Sequence, residues 1–311
     1  MCNGDVMLAI TVQTNETRHL RVSADDLAGM VRRIGAPDDR FLVVERIPDL
    51  PDVYVQVWHA DGEEYTLEHR DGSAERHFEV RLAGPEPVVA AMTGWARGAA
   101  GWDEGLDWQP LDLGPAPAPV PPIDLEAGER RELEDRLRLT LACGYTDRAR
   151  LAEQAEEHLV AGDRRPLSRP QAEQLADRLW LERVGEQTGW IGETDPERLA
   201  QAFAALEAGG ITAREDFGCC RSCGDAEIAG AGEADARGFV YFHAQGTESA
   251  ALGHGLSLLY GGFDGSPAAT AAVGKEVVAA LAEAGLPTVW NGDPSQAVEI
   301  RPLLWRRRLA G

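Results

Sequence analysis

The stretch Cys219-Cys220-Arg221-Ser222-Cys223, with the segment Gly238-Phe-Val-Tyr-Phe-His243-Ala-Gln245-Gly-Thr-Glu248 after it, is where the sequence changes from helical to strand periodicity. Three of the five cysteines lie in the first stretch. Two of the seven histidines, His243 and His254, follow it closely. The stretch therefore divides the second half of the chain, and it gathers residue types used in metal binding and thiol chemistry.

Downstream of the cysteines the pattern predicts a small sheet. Strands are expected over 239–245 and 256–260, and a helix starts at Ser266-Pro267 and ends at Gly285. Two more strands are expected over 287–290 and 297–301. The order is β-β-α-β-β.

Upstream, four amphipathic helices are predicted. The first covers about 124–143, and the second begins at Thr146 or Asp147. The third begins at Ser168-Arg-Pro-Gln171, which combines a capping box with a proline in the first turn. The fourth begins at Asp195-Pro196. Helices followed by a sheet indicate an α+β domain.

A proline-rich linker, 113–123, separates this C-terminal domain (124–311) from an N-terminal domain (1–112). Its alternating prolines favour an extended polyproline conformation, which makes a semi-rigid spacer. The N-terminal domain is predicted as an antiparallel meander sheet with two helices. Asp61-Gly62 and Asp71-Gly72 supply the tight hairpin turns.

The remaining strands of the meander are expected at 7–13, 17–22 (joined at Thr14-Asn15-Glu16), 41–47, 53–59, 64–69 and 76–82, and its helices begin at Ser23 and near Pro87. Trp95, Trp102 and Trp108 are expected to cover the open end of this sheet, with an aromatic binding surface as the alternative. Three histidines, His59, His69 and His77, are expected on strands and half-exposed.

Composition limits the function classes. Apolar residues make up 44% and charged residues 26% of the chain, as in globular proteins. The net charge of −22 repels nucleic-acid phosphates and anionic lipid, which argues against both as partners. No apolar run approaches the length of a membrane span. An odd number of cysteines and no secretion signal place the protein in the cytoplasm, where thiols stay reduced.

Three interpretations of the cysteine cluster remain open. Cys220-x-x-Cys223 has the spacing of half a zinc site, with Cys219 as a third thiolate and His243, His254 or Asp225 available to complete it. The same pair could act in thiol redox chemistry, although no preceding β-α-β context is evident. The cysteines could also be small apolar residues that fill the junction between helices and sheet.

A candidate acid–base group overlaps this region. His243, Glu248 and His254 supply a base, an acid and a second imidazole, and catalysis would require them within hydrogen-bond reach of a substrate. With a strand over 239–245, His243 lies on the same strand face as Tyr241 and Gln245. No phosphate-binding loop, nucleophile elbow or H-E-x-x-H motif occurs.

From about residue 130 onward, the chain resembles an uncharacterised actinobacterial family with a domain of unknown function. Four motifs carry the resemblance: Asp216-Phe-Gly-Cys219-Cys220-x-x-Cys223-Gly, Phe242-His243-x-Gln245-x-Thr247-Glu248, the strand beginning Leu258-Leu-Tyr-Gly-Gly, and Val289-Trp-Asn-Gly. The N-terminal half resembles another uncharacterised actinobacterial segment. The resemblance implies no activity.

Two functions are consistent with these observations. The first is a cytoplasmic protein-interaction or regulatory module with a protein partner, of which an immunity role is one form. The second is a metal- or thiol-dependent enzyme centred on Cys219, Cys220, Cys223 and His243, with zinc as the candidate cofactor.

Overall fold

The computed structural model describes residues 7–15, 17–115 and 118–309, which form two compact units. The first runs to Pro122 and the second from Ile123 to Leu309. Glu16 of the first predicted turn and residues 116–117 of the predicted linker lie outside the described residues, as does the N-terminal segment 1–6. The described part of 111–126 contains no helix or strand.

The first unit is a seven-stranded antiparallel sheet with two helices. The strand order is β2-β1-β3-β4-β5-β6-β7. Its elements are β1 (Ile10–Gln13), β2 (Arg18–Leu20), α1 (Ala24–Arg33), β3 (Phe41–Arg46), β4 (Val53–Trp58), β5 (Tyr65–Asp71), β6 (His77–Leu82), α2 (Pro85–Ala96) and β7 (Gln109–Pro110).

The alternation read from the sequence explains how this sheet is buried. Val55 and Val57 of β4 are fully buried, with Leu67 of β5, because successive side chains on a strand point to opposite faces. Leu27 of α1 and Met92 of α2 belong to the same core cluster. The predicted meander with two helices is therefore confirmed.

Two tryptophans of the first unit pack against a histidine of the sheet, and two of the three strand histidines are less exposed than predicted. Trp102 and Trp108 lie edge-on to His69, at ring-centroid distances of 5.1 and 4.7 Å. His59 and His77 are buried rather than half-exposed. The sequence predicts a half-exposed side chain for His59, yet its ring stacks on Tyr65.

We predict that His69 titrates below the ordinary histidine range. Burial lowers the pKa of His69 from the usual 6.5. The unfolded chain then takes up a proton at a higher pH than the folded chain does. The contribution of His69 to the free energy of unfolding at neutral pH is therefore lost as the pH falls through about 6.5. The loss levels off below the pKa of His69 in the folded chain.

The measurement is an NMR titration of the imidazole Hε1 resonances, with the His69 signal assigned by its loss in His69→Gln. His19→Gln, on strand β2, is the matched control for assignment. A His69 pKa at or above 6.5 contradicts the prediction.

The second unit consists of helices packed beside a mixed five-stranded sheet. The strand order is β11-β12-β10-β9-β8, and only β8 and β9 among these pairs are parallel. Its elements are α3 (Ala127–Cys143), α4 (Arg148–Glu157), α5 (Arg169–Thr188), α6 (Asp195–Ala208), β8 (Ile211–Arg214), α7 (Arg221–Glu227), β9 (Gly238–Tyr241), α8 (Ala244–Ala251), β10 (Leu256–Gly262), α9 (Pro267–Glu283), β11 (Thr288–Val289) and β12 (Val298–Ile300).

Two apolar clusters stabilise this unit. One lies among the first helices, where Leu137 of α3 and Trp180 of α5 are fully buried. The other lies between the sheet and helices α6 and α9, around Phe203, Val240 and Val277. The predicted α+β class and the four upstream helices are confirmed.

The predicted order β-β-α-β-β lacks three elements that the structure contains, one of which is helix α7 within the cysteine turn itself. Strand β8 precedes the cysteines and pairs in parallel with β9. The strand expected over 239–245 ends at Tyr241, and helix α8 begins at Ala244. Strand β8 and helix α8 flank the cysteine turn, so the turn has different neighbouring elements from those that the sequence predicts.

Candidate thiol site

The sulfurs of Cys219, Cys220 and Cys223 form one compact group on the surface of the second unit. The Sγ atom of Cys223 lies 3.3 Å from that of Cys219 and 3.8 Å from that of Cys220. All three ligand atoms lie within 4.8 Å of one another. Cys219 is exposed and the other two are partly exposed, so small molecules and ions can reach the group.

The turn that carries the cysteines is positioned by the parallel strand pair. It leaves the carboxyl end of β8, and Cys220 is the N-cap residue of α7. The backbone N–H of Phe217 donates to the carbonyl of Phe242, and the N–H of Ala244 donates to the carbonyl of Gly218. These two bonds fix the loop before the cysteines against the end of β9 and the start of α8.

Glycine is required where α7 approaches the sheet. A Cβ at Gly224 would lie 2.3 Å from Cε2 of Tyr241, so a side chain there would push α7 away from β9. Gly218 has φ +73°, in the left-handed region that favours glycine. Both glycines flank the cysteines within the same motif, and both are needed to form the turn.

Asp225, one of the residues considered as a fourth metal ligand, contacts other partners. The hydroxyl of Tyr241 donates to its Oδ1 at 2.5 Å, and its Oδ2 lies 3.4 Å from Nε of Arg221. Burial raises the pKa of the Tyr241 hydroxyl, and the bond to Asp225 adds to the effect. The carboxylate therefore holds α7 to β9 rather than pointing at the sulfurs.

The three thiols differ in their electrostatic environment. The pKa of Cys220 is lowered, first because the backbone N–H of Cys223 donates to its sulfur. The pKa of Cys223 is raised to about 11, chiefly because its sulfur interacts with those of Cys219 and Cys220. Of the two, Cys220 is therefore the thiol that loses its proton more readily, and a lowered thiol pKa is a feature of reactive C-x-x-C motifs.

His243 caps helix α8 and does not join the cysteines. Its Nδ1 accepts the backbone N–H of Gly246 at 3.1 Å, the role usually filled by serine, threonine, aspartate or asparagine. Among the described histidines, cysteines and acidic residues, the group able to offer three ligand atoms within 4.8 Å consists of the three thiols. The structure therefore does not bring His243 into the predicted metal-ligand set.

The two other acid–base candidates have different surroundings. Glu248 pairs with Arg136 of α3, with Oε1 and Nη1 2.6 Å apart. His254 lies beyond the end of α8 and is exposed, and no described side-chain contact joins it to His243 or Glu248. A shared acid–base role for the three residues stays a prediction.

A buried polar cluster, which sequence reasoning did not identify, lies next to the turn. Thr247 is fully buried and donates its hydroxyl to Oδ1 of Asp216 at 2.6 Å. Burial raises the pKa of Asp216, while the Thr247 hydroxyl and Arg307 act in the opposite direction. The sequence shows Asp216 in one motif and Thr247 in another. Their contact depends on the pairing of β8 with β9, which the sequence does not predict.

Partners from outside the two motifs complete this polar cluster. Oε2 of Glu215 accepts the hydroxyl of Tyr145 and contacts Arg307 Nη1, each at 2.8 Å. The Arg307 guanidinium lies 3.8 Å from the centre of the Tyr145 ring. Burial raises the pKa of Cys143, the fourth described cysteine, to about 12.

Comparison with known families covers the unit that contains this site. Residues 126–309, more than half of the chain, match the model of a family described as "Domain of unknown function (DUF6891)". The chain belongs to this family. No curated protein and no solved structure matches it. The thiol turn and the buried polar cluster both lie within the DUF6891 domain, whereas the N-terminal resemblance stays a prediction.

We predict that Thr247→Val destabilises the DUF6891 domain by about 1–3 kcal/mol, because it leaves the half-buried carboxylate of Asp216 without its hydroxyl donor. Chemical denaturation followed by circular dichroism measures the change. Thr247→Ser restores the hydroxyl and should recover most of the loss. Thr288→Val on edge strand β11, a half-exposed threonine, is the matched control. Equal stabilities for Thr247→Val and the control contradict the prediction.

Proposed function

We propose that the DUF6891 domain is a metal-binding regulatory module that holds a thiophilic divalent cation, such as Zn²⁺, on the thiolates of Cys219, Cys220 and Cys223. The observation that carries the proposal is the spacing of the sulfurs. Sulfurs bound at 2.3 Å to a tetrahedral zinc lie about 3.8 Å apart. The two sulfur–sulfur distances to Cys223 are 3.3 and 3.8 Å, and all three sulfurs lie within 4.8 Å of one another.

The solvent exposure of the cysteines weighs against a purely apolar packing role. Sulfurs that serve as packing groups belong among buried apolar side chains. Here Cys219 is exposed and the others are partly exposed, and none of the three belongs to the described apolar clusters. At the surface these side chains gain little from burial in the apolar core, yet three soft sulfur ligands are gathered there. This location supports a chemical role for the three cysteines.

Three thiolates leave one position of a tetrahedral cation open. A zinc site with three protein ligands and an open position is the arrangement of catalytic and ligand-exchanging sites, whereas structural zinc sites have four. We propose that a side chain of a partner protein fills the open position, which makes the domain a metal-dependent interaction module of the cytoplasm. A reducing compartment supports this assignment because the thiols must stay unpaired.

We predict one zinc ion per chain under reducing conditions. Native mass spectrometry gives the stoichiometry, and substitution with Co²⁺ gives a thiolate charge-transfer band in the absorption spectrum. Cys220→Ser and Cys223→Ser should each weaken binding by more than the roughly 10- to 100-fold that the loss of an outer-shell partner costs.

Two variants serve as controls for the metal test. Cys143→Ala removes a thiol outside the cluster and should leave the affinity unchanged. His243→Ala should also leave it unchanged, because His243 caps α8; a large loss there would make His243 a ligand. The proposal fails when the reduced wild-type chain takes up neither Zn²⁺ nor Co²⁺.

We predict that partner capture depends on the metal. The full chain, loaded with zinc or treated with a chelator, is immobilised and incubated with cytoplasmic extract. A specific partner should be retained by the loaded protein and lost both after chelation and with Cys223→Ser. Retention that ignores the metal and the cysteine separates the interaction from the thiol site and contradicts the proposed coupling.

A further inference from the structure

We infer that the thiol site is redox-labile: a peroxide joins Cys223 to one of its two neighbouring cysteines in a disulfide, and this single event releases the bound cation. The inference rests on the proposed metal site and adds its regulation. It is carried by the arrangement of the three sulfurs, by their access to solvent, and by the composition of the ligand set.

The arrangement makes Cys223 the common partner in any disulfide. Its sulfur lies 3.3 Å from that of Cys219 and 3.8 Å from that of Cys220. A disulfide has a sulfur–sulfur length of about 2.05 Å, so either sulfur needs to approach Cys223 by less than about 2 Å. A bond between the adjacent residues Cys219 and Cys220 would close a strained ring, which leaves the two pairs through Cys223.

The site is also accessible to an oxidant. Cys219 is exposed, and Cys220 and Cys223 are partly exposed. Susceptibility of cysteine to oxidation follows thiolate character and exposure. Metal binding keeps the sulfurs deprotonated, because thiolates rather than thiols are the ligands.

The ligand set has no redundancy. Within the described residues, the group able to hold a metal consists of these three cysteines, and Asp225 is held by Tyr241. One disulfide removes two of the three thiolates, so a single ligand remains. A site with four or more protein ligands would keep at least two of them after the same event, whereas this site keeps only one.

The chemistry requires a peroxide as co-reactant and balances without another. One thiolate attacks the O–O bond, hydroxide leaves, and the sulfur becomes a sulfenic acid. The second thiolate attacks that sulfur, the S–S bond forms, and a second hydroxide leaves. The two cysteines lose two electrons, the peroxide gains them, and the two hydroxides take protons from solvent to give two waters for hydrogen peroxide.

The experiment uses the full chain in a Cys2→Ala, Cys143→Ala background, loaded with zinc and freed of reductant. Hydrogen peroxide is titrated in, free zinc is followed with a chelating dye, and disulfides are mapped by mass spectrometry after alkylation. About one equivalent of peroxide should release one zinc and form one disulfide that includes Cys223. A dithiol reductant should restore zinc binding.

Two further variants identify the sulfurs. Cys219→Ser should still form the disulfide between Cys220 and Cys223. Cys223→Ser should form no disulfide between Cys219 and Cys220, and this result does not depend on its zinc affinity.

The failures of the two proposals are distinguishable. If the reduced wild-type chain binds no zinc, the metal site itself is wrong. If zinc binds but stays bound while the thiols are oxidised, or leaves without any disulfide through Cys223, the redox inference is overturned and the metal site stands.

Discussion

The second unit depends on the parallel pairing of β8 with β9, fixed at its carboxyl end by the hydrogen bond from Thr247 to Asp216. That bond is 2.6 Å long, and Thr247 is closed to solvent. Its strength comes from a charged acceptor in a low-dielectric setting. Without it, the loop that leads into the cysteines would lose its side-chain attachment to α8. The position of a surface site is therefore set by a buried contact.

Two sets of polar side chains lie close together in this region. They differ in how completely their hydrogen-bonding atoms are paired within the protein. Next to the turn, Asp216 pairs with Thr247 and Glu215 with Tyr145 and Arg307, while Glu248 pairs with Arg136 at a half-exposed position. Groups that satisfy one another in this way rigidify a fold. The three thiols make weak sulfur contacts with one another, and the sulfur of Cys220 also accepts the backbone N–H of Cys223. Sulfurs with remaining capacity to bind a ligand at an accessible surface are the feature on which the proposed metal site rests.

The sequence predicted those elements whose signals are local. The helix starting at Ser168 has its capping box and its proline within four residues, and the structure confirms it. Strand β8 has only four residues, too few to show an alternation, and its identity depends on pairing with β9. Helix α8 has His243 as its N-cap, and histidine lies outside the usual set of capping residues. The sequence therefore gives no helix-start signal there, and the apolar run before it predicts a strand that continues to residue 245.

The same two elements also decided what could be known of the site. The redox interpretation calls for a β-α-β unit before the cysteines, and the described elements of the second unit before β8 are helices. The structure instead places the cysteines within a crossover, since β8 and β9 pair in parallel and Cys220 is the N-cap residue of α7 between them. The proximity of the three sulfurs was predictable from a five-residue spacing. The exclusion of His243 was not, because it depends on where a strand ends.

Charge constrains what can occupy the open position of the proposed site. Three thiolates around a divalent cation leave one negative charge, on a chain whose net charge is already −22. An anionic fourth ligand would add a like charge in a field that repels it. A neutral imidazole or a water carries no such cost, and a partner with a basic surface around a histidine gains long-range attraction as well. The acidity of the chain therefore favours a neutral or basic group as the fourth ligand of the proposed site.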